Sequence, residues 1–260
     1  MERYKMFRNE MKRDLEKGKK VYGTMLQEMV NPTAAQIFKR AGFDFFMVDC
    51  EHSPYDQGSV REILRVARLE EICPLVRIRN LDYSLAAGYL DAGAMGLMLP
   101  RVENVTDTET LVSFMKYPPQ GIRGLSGDAP HSDYRFGDLA EFIEIKNQDT
   151  VAIAQIERKV AIENLEEILS VTGIDVALVG PEDLSLSYGV PGQTSHPTVV
   201  NAIQKVIDIS FKLGVAPGIH MGNLEKLTEW KEKGMQVIMY NSDLGFLLEG
   251  AEAGIKALKT

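Results

Sequence analysis

The chain has 260 residues, 45% hydrophobic and 25% charged, which is enough to bury a sizeable core and too apolar for a disordered segment. Its formal net charge of -8, with no basic stripe, speaks against nucleic acid as a partner. No apolar run approaches the roughly 20 residues that a bilayer span needs, so no membrane partner is expected.

The chain opens on MERYKMFRNEMKRDLEKGKK, which mixes both charges, reads as a leading helix and lacks the apolar core of a secretory signal. Short apolar runs then alternate with longer amphipathic stretches. Candidate strands in order are GTML near residue 23, FDFFMV near 43, PLVRI near 74 and GLML near 96. VAIAQI near 151, DVALVG near 175, VAPGI near 215 and QVIMY near 236 follow. Their continuous apolarity predicts parallel strands covered on both faces. Between them, stretches such as VVNAIQKVIDISFKL repeat apolar residues every three or four positions, as helices do. Gly18, Gly42, Gly93, Gly173, Gly214 and Gly234 each fall just before a strand, where a helix would end and the chain turn back. Eight strands at this spacing predict one (β/α)8 TIM barrel over residues 1–260. An open doubly wound sheet competes, but no glycine-rich dinucleotide fingerprint follows the first strand. The longest irregular stretch, Tyr117 to Tyr134, comes after the fourth strand and is expected at the barrel mouth.

In such a barrel, chemistry gathers at the carboxyl ends of the strands. The second strand runs into Asp49, Cys50, Glu51 and His52, and the third carries Arg77. The fifth ends in Gln155 and Glu157, and the sixth runs through Gly180 and Pro181 into Glu182 and Asp183. Alternation puts Gln155 and Glu157 on the face of Val151 and Ile153. Two carboxylates on adjacent strands, Glu157 and Asp183, would repel unless a cation lay between them. Without cysteine or clustered histidine they favour a hard divalent ion, Mg2+ or Mn2+, with Co2+ also admissible. The competing reading is a pair of solvated rim acids.

Arg77, set between Val76 and Ile78, either faces a developing oxyanion or pairs with Asp49 or Glu51. His52, three residues beyond Asp49, is either a proton carrier tuned by a carboxylate or a surface histidine. A Schiff-base mechanism needs a lysine on a strand. Lys116, Lys146 and Lys159 lie outside the predicted strands or beyond their ends. Cys50 and Cys73 have no metal-ligand spacing and fit a reducing cytoplasm.

At DCEH, YPPQGIRG, QIE and VGPEDLS, in that order, the sequence resembles the HpcH/HpaI aldolases, class II pyruvate aldolases with the phosphoenolpyruvate/pyruvate-binding type of barrel. The resemblance runs from about Tyr22 to Ala257. It implies reversible aldol cleavage of a 4-hydroxy-2-oxo acid to pyruvate and an aldehyde. It implies Glu157 and Asp183 as metal ligands, and Gln155 with the backbone of Glu182 and Asp183 as the pyruvate site. It implies His52 for proton transfer through a metal-proximal water, Arg77 for enolate stabilisation, and Asp91 for raising the basicity of the histidine.

Asp91 precedes Gly93 and the fourth strand, at the wrong end of its own barrel, so it is expected to serve a neighbouring subunit. Leu244, Leu247, Leu248, Ala251, Ile255 and Leu258 form an apolar stripe on a terminal helix. The resemblance implies that this helix packs on another subunit of a homo-oligomer, a hexamer. Glu182 departs from the family pattern, where a small residue is usual, and Cys50 stands where glycine is common. The loop from Gly124 to Arg135 also differs, so the aldehyde does not transfer. Oxaloacetate decarboxylase or citryl-CoA-lyase-like chemistry, a phosphate-binding barrel using GIHMGN, and a non-catalytic binding barrel are the competing functions.

Overall fold

In a computed structural model, which describes residues 7–134 and 137–260, the eight apolar runs form parallel strands closed in sequence order into one barrel. The strands are β1 (Val21–Leu26), β2 (Phe45–Asp49), β3 (Cys73–Arg77), β4 (Gly96–Leu99), β5 (Val151–Ile156), β6 (Val176–Val179), β7 (Ala216–Met221) and β8 (Val237–Ser242). A leading helix α1 (Glu10–Glu16) precedes them. Helices α2 (Thr33–Ala41), α3 (Gln57–Leu69), α4 (Tyr83–Asp91) and α5 (Val105–Met115) follow the first four strands. Next come α6 (Leu139–Asp149) before β5, α7 (Lys159–Glu163), α8 (Leu165–Leu169) and α9 (Pro181–Ser187). The wall closes with α10 (Pro197–Leu213), α11 (Leu224–Glu232) and α12 (Asp243–Lys259). All six glycines expected to end helices have φ between 72° and 117°.

Strand periodicity divides the core in two. Met25, Phe45, Met47, Leu75, Met98, Ile153, Leu178 and Met239 point inward and fill the barrel. Phe46, Val48, Val76, Leu97, Ala154 and Val179 point outward against the helices. Because both faces are buried, these strands show no polar alternation except at their last inward positions.

Inside the barrel one close approach demands glycine. Gly23 pairs with Phe45, and a Cβ there would sit 2.3 Å from two atoms of the Phe45 ring. Phe45 is fully buried and has nowhere to retreat.

The long irregular stretch is not at the mouth. Helix α5 intervenes after β4, so the stretch begins where α5 has already returned to the amino ends of the strands. Lys116 donates to the carbonyl of Thr150, immediately before β5, and Arg123 pairs with Asp91 at the end of α4. Adjacency to a strand in sequence misplaced it, because the helix between was long enough to cross the barrel. Arg135 and Phe136, at the far end of the 124–135 loop, lie outside the described residues.

Overpacking at Gly23 gives a direct test of the interior. Gly23→Ala should lower the unfolding free energy in urea by about 1–3 kcal/mol. An unchanged midpoint would show that the interior is looser than these contacts describe.

Candidate active site

The inward-facing series on three strands ends in polar groups, and this is what builds the site. Inward residues run Phe45, Met47, Asp49 on β2, then Cys73, Leu75, Arg77 on β3, then Val151, Ile153, Gln155 on β5. The register sets Asp49 beside Arg77. Their side chains form a two-pronged ion pair, Nε to Oδ1 at 2.9 Å and Nη2 to Oδ2 at 2.6 Å. Burial opposes ionisation of Asp49, yet the Arg77 guanidinium holds its carboxyl below the usual range. The third guanidinium nitrogen, Nη1, lies 3.4 Å from Glu51 Oε2 and is not committed to a hydrogen bond.

Glu157 follows β5 at the next inward position and is almost completely buried. Its Oε1 accepts the backbone N–H of Arg101 at 2.8 Å, and its Oε2 accepts from Gln155 Nε2. Burial, with the negative charges of Asp183 and Glu51 nearby, pushes the carboxyl up to about 7 against the pull of the Arg101 N–H. Gly180 closes over it, since a Cβ there would meet Glu157 Oε2 at 2.8 Å. Gln155 Oε1 is buried without a hydrogen-bond partner.

These features fit a cation. A desolvated carboxylate crowded by two other acids, beside an orphaned amide oxygen, is short of positive charge. Its donors are hard oxygens, which suits Mg2+ or Mn2+. Among the described residues no group of three or more His, Cys, Asp or Glu is placed to hold a metal ion.

Several sequence expectations need adjusting. Asp183 is not on a strand: β6 stops at Val179, and the acid stands in the first turn of α9, exposed to the mouth. Glu182 beside it is also exposed. His52 lies at the rim with 65% of its side chain accessible. Its Nε2 is 3.6 Å from Glu51, whereas the Asp49 carboxylate accepts only its backbone N–H, at 3.2 Å. Asp49 therefore orients Arg77 and the turn rather than the imidazole.

Asp91 is remote from His52 in the same chain. It caps the amino-end face, where its Oδ1 accepts from Arg123 Nη2 at 2.7 Å and its carbonyl lies 3.3 Å from His131 Nδ1. Lys116 and Lys146 are buried at this same end, away from any strand interior.

One residue, Arg101, was missed by the sequence reading, whereas Glu51 was named there as a possible partner of Arg77. Glu51 faces both Arg77 and Arg101, and Arg101 also supplies the backbone donor to Glu157. Arg101 holds a left-handed φ of 53° just after β4, which turns its N–H inward. The signal available was a lone arginine following LMLP at a strand end.

A catalytic barrel with acids and a guanidinium at its carboxyl end is the class that fold and site define. The sequence profile of the HpcH/HpaI aldolase/citrate lyase family matches residues 25–249. A pyruvate aldolase of Rhizobium etli is 34% identical over 245 residues, covering 94% of this chain and 95% of the relative. The 4-hydroxy-2-oxo-heptane-1,7-dioate aldolase of Salmonella typhimurium is 34% identical over 246 residues, covering 95% and 93%. The crystal structure of an HpcH/HpaI aldolase from Desulfitobacterium hafniense DCB-2 superposes with a TM-score of 0.92 at 35% identity, covering 95% of this chain and 96% of that one. The chain belongs to the HpcH/HpaI aldolase/citrate lyase family, and is with it a carbon–carbon lyase.

The amino-end cluster yields a pH test. Burial, helped by Arg123 and Lys146, pushes His131 down from 6.5 to about 3. The unfolded chain thus binds this proton more readily than the folded one. Its contribution to stability is full above 6.5 and is lost progressively as pH falls toward 3. Between pH 7 and pH 5 this residue should remove about 2 kcal/mol of stability. His131→Gln should flatten that slope in parallel urea titrations, and an identical slope would contradict the buried neutral imidazole.

Proposed function

We propose that this protein catalyses reversible aldol cleavage of a 4-hydroxy-2-oxo acid to pyruvate and an aldehyde, with Mg2+ or Mn2+ held by Glu157 and Asp183. The observation that carries the reading is the buried Glu157 carboxylate, crowded by Asp183 and Glu51 and closed over by Gly180. A divalent ion there supplies Lewis-acid polarisation of the oxo acid, worth several kcal/mol as charge develops.

The chain's own residues do the rest. Gln155 and the backbone of Glu182 and Asp183 orient the carboxylate end of the oxo acid. Arg77 is fixed by Asp49 through two of its nitrogens, which leaves Nη1 to face the oxygen at C2. His52 takes the proton from the 4-hydroxyl as the C3–C4 bond breaks. The bonding pair passes to C3 and the C2 oxygen, the aldehyde departs, and C3 then takes a proton from solvent to give pyruvate while His52 releases its own to solvent. In condensation His52 returns its proton to the new alkoxide.

We also assign the working protein to a homo-oligomer. Helix α12 is 17 residues long, with Asp243 its only buried residue. Leu244, Leu247, Leu248, Ile255 and Leu258 are exposed along it. A stripe of that size calls for a protein partner, and a second copy would also bring Asp91 to the mouth of a neighbour. The hexamer suggested by resemblance is one such assembly. Cys50 and Cys73 are both buried and unpaired, which suits the cytoplasm. No helix among the described residues is long and apolar enough to cross a membrane.

Three experiments test these assignments. With Mg2+ or Mn2+ present, the protein should exchange the C3 protons of pyruvate, and chelation should stop the exchange. Arg77→Lys should lower kcat on the order of 10²–10³-fold, because lysine cannot keep both the Asp49 fork and a donor toward C2. Exchange that ignores chelator, or an unaltered kcat, would remove these roles. Separately, His52→Ala and Asp91→Asn should each be impaired alone. Mixing their unfolded chains and refolding them together should restore part of the activity, because some sites then receive both native residues. No restoration would return Asp91 to a structural role.

A further inference from the structure

His52 stands at the rim, on the turn that joins β2 to α3. Among the described residues its imidazole makes no hydrogen bond, and its Nε2 lies 3.6 Å from Glu51. A side chain so free is placed by its main chain, so whatever fixes residues 50–55 fixes the proton carrier. On the inner side Asp49 Oδ1 accepts the backbone N–H groups of Glu51 and His52, at 3.0 and 3.2 Å. That carboxylate also holds Arg77, so it serves two tasks at once.

A second hold comes from Arg79. β3 ends at Arg77, and the Ile78 N–H still donates to the Met98 carbonyl at 3.0 Å, so Arg79 leaves the sheet from a fixed point. Its guanidinium turns toward β2 and spans the turn. Nε donates to the Cys50 carbonyl at 2.5 Å, and Nη2 donates to the Tyr55 carbonyl at 3.2 Å. These carbonyls stand on either side of His52 in the chain. One planar group therefore sets the width of the loop that carries the imidazole. At a mouth rich in acids, these donors are spent on carbonyls.

The clamp is itself tied down. The Arg79 carbonyl accepts Arg101 Nη2 at 3.1 Å, and the Arg101 N–H donates to Glu157 at 2.8 Å. Tyr55 is buried, and its hydroxyl donates to the Met29 carbonyl at 3.4 Å, in the loop after β1. The His52 turn is thus referenced to the same main chain that holds Glu157. Arginine suits the task, because its rigid fork offers donors to two carbonyls where a lysine ammonium is a single point.

We propose that Arg79 is a positioning residue, which sets His52 at proton-transfer distance from the substrate hydroxyl by bridging the two ends of its turn. This rests on the aldolase reading above, and it adds a residue that touches neither substrate nor metal. Proton transfer needs hydrogen-bond reach, so a loosened turn costs rate rather than pyruvate binding.

The test is a double-mutant cycle in the presence of Mn2+. Condensation of pyruvate with one aldehyde is followed in the unaltered protein, Arg79→Met, Arg79→Lys, His52→Ala and the Arg79→Met/His52→Ala double variant. Arg79→Met should lower kcat about 10–100-fold with KM for pyruvate unchanged. Arg79→Lys, which keeps one donor, should fall between. In the His52→Ala background Arg79→Met should cost less than about twofold, because the group it positions is gone. An equal loss in both backgrounds, or an unchanged kcat in Arg79→Met, would overturn the proposal. Where His52→Ala is too slow to measure, exchange of the pyruvate C3 protons with solvent decides. Exchange should persist in Arg79→Met while condensation falls, and a parallel fall of both would overturn the proposal. Arg79 is exposed, and Arg79→Lys carries the test if Arg79→Met does not fold. An unaltered protein that neither condenses nor exchanges would instead overturn the aldolase reading, and the proposal with it.

Discussion

Negative charge is concentrated at the carboxyl end of this barrel beyond what the protein itself neutralises, and the site is organised around that imbalance. Asp49 is answered by Arg77 through two short hydrogen bonds. Glu51 is shared between Arg77 and Arg101. Among the described residues no guanidinium forms an ion pair with Glu157 or Asp183. Burial makes the excess costly at Glu157, whose carboxyl is held up to about 7. A buried anion without compensation is among the most expensive features a fold can carry. Its retention beside Gly180, where even a methyl group would collide, is intelligible as a cradle for a cation and a bidentate ligand.

The barrel makes this arrangement possible because its parallel strands end together. Below the top layer, methionines, Phe45, Leu75 and Ile153 fill the interior without polar atoms to satisfy. Only at their last inward positions do β2, β3 and β5 change character, to Asp49, Arg77 and Gln155. A packed apolar column thus holds the polar layer rigid, as a pre-organised electrostatic site requires. The opposite end has a different character. Asp91, Arg123 and His131 form their own network there, joining the long loop to the end of α4.

Much of this was legible in the amino-acid sequence because it depends on local periodicity. Continuous apolar runs marked the strands, and glycines such as Gly42 and Gly214 marked the turns into them. Alternation along VAIAQIE placed Gln155 and Glu157 inward beside Val151 and Ile153. What escaped depends on three-dimensional reach. The stretch from Tyr117 was assigned to the mouth from its place after β4, but α5 carries the chain back across the barrel first. Asp183 was read as a strand-end acid, although the chain had already entered α9. His52 was set against Asp49, yet the Asp49 carboxylate is consumed by Arg77 and by backbone N–H groups. Arg101 was overlooked because its contribution to Glu157 comes from the main chain, which side-chain patterns do not reveal.

The cation assignment at Glu157 and Asp183 is open to a measurement that needs no turnover. Titration of the protein with Mn2+, followed by the loss of the free-ion electron paramagnetic resonance signal, counts sites directly. The expected result is one ion per chain, bound more tightly when pyruvate is present, with Glu157→Gln abolishing the uptake. Uptake of Mn2+ that is the same in Glu157→Gln as in the unaltered chain, or no uptake at all with pyruvate present, would contradict the account.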